Sequence, residues 1–286
     1  MPDFNQFCID SYNAEYQKCY SHLMSRYPNG NVPATRLKNF EPLSQKAAMK
    51  YSLVAAIRQY PGVEPSELWH AIHVAHMHRK TGLTDLALID NVVSADQSWK
   101  KSSGHAFEEM LKEYANPILA GTGIEIILQR DLNRLLKKNQ LGNEVRDYSW
   151  LKEQVKGNIF DLYAIVENNG QKFCFSCIQA KTSIRDRVTR DREPSIHAMQ
   201  AFFWSIVFVL DDDFMKLPKF NHMVNGGSQE FPTNGWHGMY ALTQQHYGGR
   251  IYSETIDFNV FKDHAVKAAN AWLTQRQWFD GTWIAI

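Results

Sequence analysis

The chain has 286 residues, about two average domains' worth. Its 31 Lys and Arg against 30 Asp and Glu leave a formal net charge of +1. That excludes a polybasic, histone-like binder, but not one whose basic groups gather in a single cleft. With 44% hydrophobic and 21% charged residues, the composition is that of a folded globular protein rather than a disordered chain.

Met1 to Asp10 carries neither a basic n-region nor an apolar h-region, so no secretory signal is expected. The longest apolar run, around Ala201 to Leu210, falls short of the ~18 residues of a membrane span. Cys8, Cys19, Cys174 and Cys177 are too sparse for a disulfide scaffold. The expectation is a cytoplasmic protein with reduced thiols and no membrane contact.

The first hundred residues read as mainly helical. Leu43 to Tyr60 is rich in Ala, Lys, Leu and Met and stops at Pro61-Gly62. Pro65-Ser66-Glu67 opens a second helix, with Ser66 as its N-cap, running to Thr81-Gly82. Ser102-Ser103-Gly104 precedes a third, His105 to Tyr114, which ends before Pro117. Near residue 157 the character changes. Phe160 to Val166 is a β-rich run, Asn168-Asn169-Gly170 a hairpin turn signal, and Lys172 to Ala180 a second strand. After an arginine-rich segment come a helix, Pro194 to Trp204, and a short apolar strand, Ser205 to Leu210, closed by Asp211-Asp212-Asp213. Strand-like pieces at His237 to Thr243 and Arg250 to Ile256 and a helix at Phe261 to Leu273 follow. Helix, hairpin, helix and strand in that order predict an α/β (α+β) core behind a helical N-terminal region.

The chemistry concentrates at the hairpin. Period-2 alternation puts Phe173, Phe175, Cys177, Gln179 and Lys181 on one face of its second strand, and Cys174, Ser176, Ile178 and Ala180 on the other. The turn brings Asp161 back toward the end of that strand. A carboxylate, an amide and a lysine then converge at one sheet edge. Such a set suits phosphodiester hydrolysis, in which an oxygen-ligated Mg²⁺ polarises the phosphate and a lysine orients water or offsets negative charge. A surface hairpin with unrelated polar residues is the alternative. Arg185, Asp186, Arg187, Arg190 and Arg192 follow directly. Guanidinium forks can pair with guanine and an aspartate can accept from cytosine, while further arginines reach phosphates. A self-paired, solvated charge run is the plainer reading.

Together these residues resemble the PD-(D/E)XK nuclease superfamily, and within it the type II restriction endonucleases that read CCGG or CCNGG cores. Lys181-Thr182-Ser183-Ile184-Arg185-Asp186-Arg187 matches the shape of their lysine and Arg-Asp-Arg element, and Gly104-His105-Ala106-Phe107-Glu108 matches their Gly-x-x-Phe-Glu helix. The resemblance covers roughly residues 100 to 215. It implies a restriction-endonuclease-like core, a mixed central sheet flanked by helices, over 101–286. Residues 1–100 would be a helical region for DNA contact or dimerisation. By the same resemblance Asp161 binds metal, Lys181 is the catalytic lysine, Glu108 supports the metal or its water, and Glu193 supplies a further acid. Gln179 stands where an acid is usual; its amide oxygen could ligate without charge. Arg185, Asp186 and Arg187 would read bases, with Arg190 and Arg192 also on DNA. The implied protein is a Mg²⁺-dependent homodimer cutting a palindrome in double-stranded DNA and leaving a 5′-phosphate. A structure-specific repair or recombination nuclease and a non-cleaving DNA-binding protein are the alternatives.

Other features weigh less. His70, His73, His76 and His78 have helical spacings suited to zinc, but their spread around a helix prevents all four from facing one ion. A His-rich, metal-regulated protein is the reading they would support. Cys174 and Cys177, three apart on a strand, should point to opposite faces. Trp236, Trp272, Trp278 and Trp283 suit a core or a subunit interface.

Overall fold

The computed structural model describes residues 3–27, 30–182, 188–210, 218–243, 245–254 and 258–285. They divide into two compact units, Met1–Lys100 and Lys101–Ile286.

The first unit is helical: α1 (Phe4–Ser25), α2 (Ala34–Leu37), α3 (Phe40–Gln59), α4 (Pro65–Thr81) and the start of α5 (Leu86–Leu119). Ser44, Ala48, Ser52 and Ala56 recur every fourth residue along α3 and are all buried. That strip of small side chains suits close packing against α1. Ser52 returns its hydroxyl to the Ala48 carbonyl at 2.6 Å, whereas the buried Ser44 hydroxyl has no hydrogen-bond partner among the described residues. Glu64, not Ser66, is the cap residue of α4. Pro65 takes the first helical position, where its missing N–H costs nothing and its φ is pre-set. Gly82 closes α4 with φ +73°, a conformation that strains any residue with a Cβ.

The second unit is built on a six-stranded mixed sheet, in chain order from edge to edge. Its strands are β1 (Ile124–Leu128), β2 (Leu162–Asn168), β3 (Gln171–Lys181), β4 (Trp204–Val209), β5 (Gly238–Leu242) and β6 (Ile251–Glu254). β1, β2 and β3 pair antiparallel, while β3 through β6 run parallel. Helices α6 (Gln129–Lys137), α7 (Val145–Gly157), α8 (Val188–Gln200), α9 (Pro218–Asn225) and α10 (Asn259–Gln275) complete the unit, with a 3₁₀ turn at Arg276–Trp278. One core gathers Phe107, Leu111, Ala115 and Leu119 of α5 with Phe175, Trp204, Phe208 and Phe261. A second gathers Leu132, Leu151, Phe160, Tyr163 and Phe203, and a third Val207, Met223, Phe231 and Trp236. β4 is buried along its whole length, as expected of a parallel strand covered on both faces.

Three expectations are corrected. α5 does not begin at His105 but runs unbroken through Ser102-Ser103-Gly104, and it carries Pro117 in its last turn. A proline there forgoes a single intrahelical bond. α8 begins at Val188, six residues before the expected Pro194. In β3 the register moves from Ala164↔Ser176 to Ile165↔Cys174, so Phe175 is an extra, bulged residue. The bulge interrupts strict alternation. Phe173 and Phe175 join the core holding Ile178 and Ala180, whereas Cys174 and Cys177 share the opposite core. Both thiols are free and buried, and burial raises both pKa values. Among the described residues no helix is long and apolar enough to cross a membrane.

Candidate active site

Asp161 is placed by its backbone before its carboxylate acts. Its N–H donates to the Ile178 carbonyl at 3.0 Å, and its own carbonyl accepts from the Gln129 N–H at 3.3 Å. The residue is thus held between β3 and the first turn of α6. Buried Phe160 anchors the chain just before it. Asp161 Oδ2 accepts from the Ala180 N–H at 2.7 Å and faces Lys181 Nζ at 3.4 Å. Lys181 Nζ also lies 3.7 Å from Asp191 Oδ1 in the first turn of α8. All three charged side chains are about three-quarters buried, so their attraction is less screened than on an open surface.

Glu108 projects from α5 toward the same place. It lines, with Asp161, His105, Glu109, Gln129, Arg130, Asn133 and Asn158, a groove of about 810 Å³. Burial pushes the Glu108 carboxyl up, and the negative charge of Asp161 pushes it in the same direction. His105 Nδ1, 3.4 Å from Glu108 Oε2, opposes that shift. On the groove wall, Gln129 donates to the Val155 carbonyl at 2.8 Å and to Asn158 Oδ1 at 2.6 Å. Asn158 ends α7 with φ +49°.

The other anticipated residues separate. Gln179 is 1% exposed and turned away from the groove: Nε2 donates to the Asp191 carbonyl at 3.0 Å and Oε1 accepts from Trp236 Nε1 at 2.9 Å. Glu193 is exposed on α8; the acid beside Lys181 is Asp191, two residues earlier. Arg190 is exposed. Arg192 bends inward, donating to the carbonyls of Met223 at 3.1 Å and Thr233 at 2.5 Å, with its guanidinium 5.2 Å from the Phe231 ring centroid. Arg185, Asp186 and Arg187 lie outside the described residues. Asp191 and the amides Gln129, Asn133 and Asn158 are additions that sequence reading missed. An earlier start for α8 would have revealed Asp191, while the amides sit on elements that no strong sequence pattern marks.

The histidines have other partners: His76 Nδ1 lies 2.8 Å from Tyr12 Oη, and His70 Nε2 lies 3.1 Å from Asp90. Among the described residues no three His, Cys, Asp or Glu side chains are grouped as a metal site.

Comparison with known proteins gives the family and the fold. The family described as BsaWI restriction endonuclease type 2 matches residues 144–278. The type II restriction enzyme AgeI of Thalassovita gelatinovora is 29% identical over 203 residues, 68% of this chain and 66% of that enzyme. The crystal structure of the pre-specific restriction endonuclease BsaWI–DNA complex superposes with a TM-score of 0.80, at 47% identity, over 99% of this chain and 98% of that one. The chain belongs to the BsaWI family of type II restriction endonucleases.

Proposed function

We propose that the protein binds double-stranded DNA and hydrolyses it, with Mg²⁺, at a short G·C-rich palindrome of the CCGG or CCNGG type. The observation that carries this reading is Lys181 Nζ held between Asp161 and Asp191 at the end of β3, beside a groove that Glu108 shares. Type II restriction endonucleases generally use divalent metal ions, and the donors suit one. Two carboxylates, Glu108 and Asp161, face one groove closely enough that the charge of one raises the pKa of the other, a repulsion that a dication relieves. Hard oxygen donors in small number match Mg²⁺, which keeps several waters. When bound, the ion polarises the phosphate and makes a water a better nucleophile.

The chain's own residues supply the rest. Asp161, its Oδ2 pinned by the Ala180 N–H, and Glu108 would hold the metal or its waters, while Asp191 fixes the Lys181 ammonium. The Lys181 ammonium offsets charge growing on the phosphate or orients the attacking water. Arg185, Asp186 and Arg187 would read base edges, and exposed Arg190 would reach a phosphate. Arg192 serves to hold α8. Two strands of a palindrome need two such sites, which supports a homodimer on DNA. Leu43, Tyr51, Val54, Ile57 and Trp69 are exposed on the helical unit and support subunit contact there. The four free thiols suit the reducing cytoplasm.

The test is cleavage of duplexes that contain CCGG or CCNGG against duplexes with the core permuted, in Mg²⁺ and in EDTA. Cutting confined to one core and to Mg²⁺ supports the reading. A gel shift without cutting leaves a DNA-binding protein, and cutting without sequence preference points to a structure-reading nuclease.

A further inference from the structure

We infer that Gln179 is a positioning residue, the amide that sets α8 over β3 so that Asp191 faces Lys181. The inference rests on the nuclease reading of the same site. Four groups form one chain: Trp236 Nε1–H donates to Gln179 Oε1 at 2.9 Å, and Gln179 Nε2–H donates to the Asp191 carbonyl at 3.0 Å. Asp191 Oδ1 in turn lies 3.7 Å from Lys181 Nζ. Gln179 and Trp236 are each 1% exposed, so water cannot substitute for either bond. The next residue, Arg192, secures the same turn from the other side through the carbonyls of Met223 and Thr233. Gly235, beside Trp236, leaves the space for this crossing. A Cβ there would lie 2.5 Å from the Met223 oxygen and 2.9 Å from Arg192 Cγ.

The chemistry of the position requires an amide. Gln179 must accept at one end and donate at the other, which a carboxamide does without a charge and an ionised carboxylate cannot. A glutamate would still accept from Trp236 but would set a buried charge against the Asp191 carbonyl. At this position the superfamily's usual acid would break the arrangement rather than improve it. A metal-ligand role for residue 179 makes the opposite prediction, since a charged oxygen would strengthen ligation.

Gln179→Glu therefore separates the two. We would measure single-turnover cleavage at saturating DNA, DNA affinity in EDTA, and Mg²⁺ and Mn²⁺ binding by calorimetry on the protein without DNA. The expected result is unchanged DNA affinity, metal binding no tighter than wild type, and cleavage slower by about 100-fold, the scale of a misplaced catalytic group. Cleavage at the wild-type rate, or tighter metal binding, overturns the inference. Trp236→Phe decides the matter should Gln179→Glu fail to fold. It removes only the donor to Oε1 and should slow cleavage roughly tenfold, the scale of one hydrogen bond to a buried group. In an Asp191→Asn background it should add no further loss, because both changes act through one chain. Fully additive losses contradict the inference. A wild type that cuts no DNA sinks the nuclease reading and this inference with it. A wild type that cuts beside an equally active Gln179→Glu sinks only the inference.

Discussion

On the proposed function, Glu108 is where the site would trade stability for chemistry at the scale of one residue. Burial and the charge of Asp161 raise its pKa, so the folded protein binds a proton there over a pH range in which the unfolded chain has released it. Stability contributed by Glu108 is thus lost as pH rises through that window, and at neutral pH the ionised side chain is a net cost. Glu108→Gln should raise the thermal midpoint of the metal-free protein at pH 7.5 while lowering its cleavage rate. A midpoint that falls instead would mean that the carboxylate is held by favourable partners. Asp161→Asn keeps an oxygen to accept from the Ala180 N–H but removes the charge facing Lys181. Cleavage should drop about 100-fold or more with little change in stability, read by single-turnover kinetics beside thermal melting. Asp161 and Lys181 were legible in the sequence because a hairpin of readable length sets their register. The inward turn of Gln179 and Arg192 was not, because their partners Trp236, Met223 and Thr233 lie 31 to 57 residues away along the chain.

At the scale of elements, the first turn of α8 decides which acid meets Lys181. Pro194 reads as a helix start, and that reading selects Glu193; the helix begins at Val188 and selects Asp191. Local signals marked a residue that tolerates a helix start, but long-range bonds to Gln179 and Arg192 favour an earlier one. β2, β3 and β4 were legible from β-branched and aromatic runs between turn residues. β1, α6 and α7, from Ile124 to Gly157, were not, although their short apolar strand and polar helices wall the groove. The bulge at Phe175 was also invisible, and it alone moves Cys174 and Cys177 onto one face. Gly235→Ala tests how tightly α8 is seated. The added methyl meets the Met223 carbonyl and the Arg192 stem, and denaturant unfolding should report a loss of about 1–3 kcal/mol. An unchanged midpoint would show that Arg192 can shift freely.

For the whole molecule, acid stability follows from a buried histidine. His237 accepts from the Ser205 N–H at 3.0 Å and donates to the Asp280 carbonyl at 2.7 Å, and burial pushes its pKa down to about 4. Below the ordinary 6.5 the unfolded chain takes up a proton that the folded protein refuses, so stability falls as pH drops from 6.5 toward 4. His237 alone should cost about 3 kcal/mol across that window. Burial lowers His264 in the same way and adds to the loss. Equal unfolding free energies at pH 7 and pH 4.5 would contradict this. The homodimer predicted for a palindrome should appear as a doubled mass in sedimentation of the protein on its cognate duplex, and a single subunit per duplex that cuts both strands would argue against it.

The most direct measurement is digestion of phage DNA of known sequence with the wild type and Lys181→Ala, in Mg²⁺ and in EDTA. Discrete Mg²⁺-dependent fragments whose ends share one G·C-rich core, absent with Lys181→Ala, are the predicted result. Fragments that persist in Lys181→Ala would place the chemistry elsewhere in the molecule, and DNA left intact by the wild type would contradict the nuclease assignment of the Asp161–Lys181–Asp191 cluster.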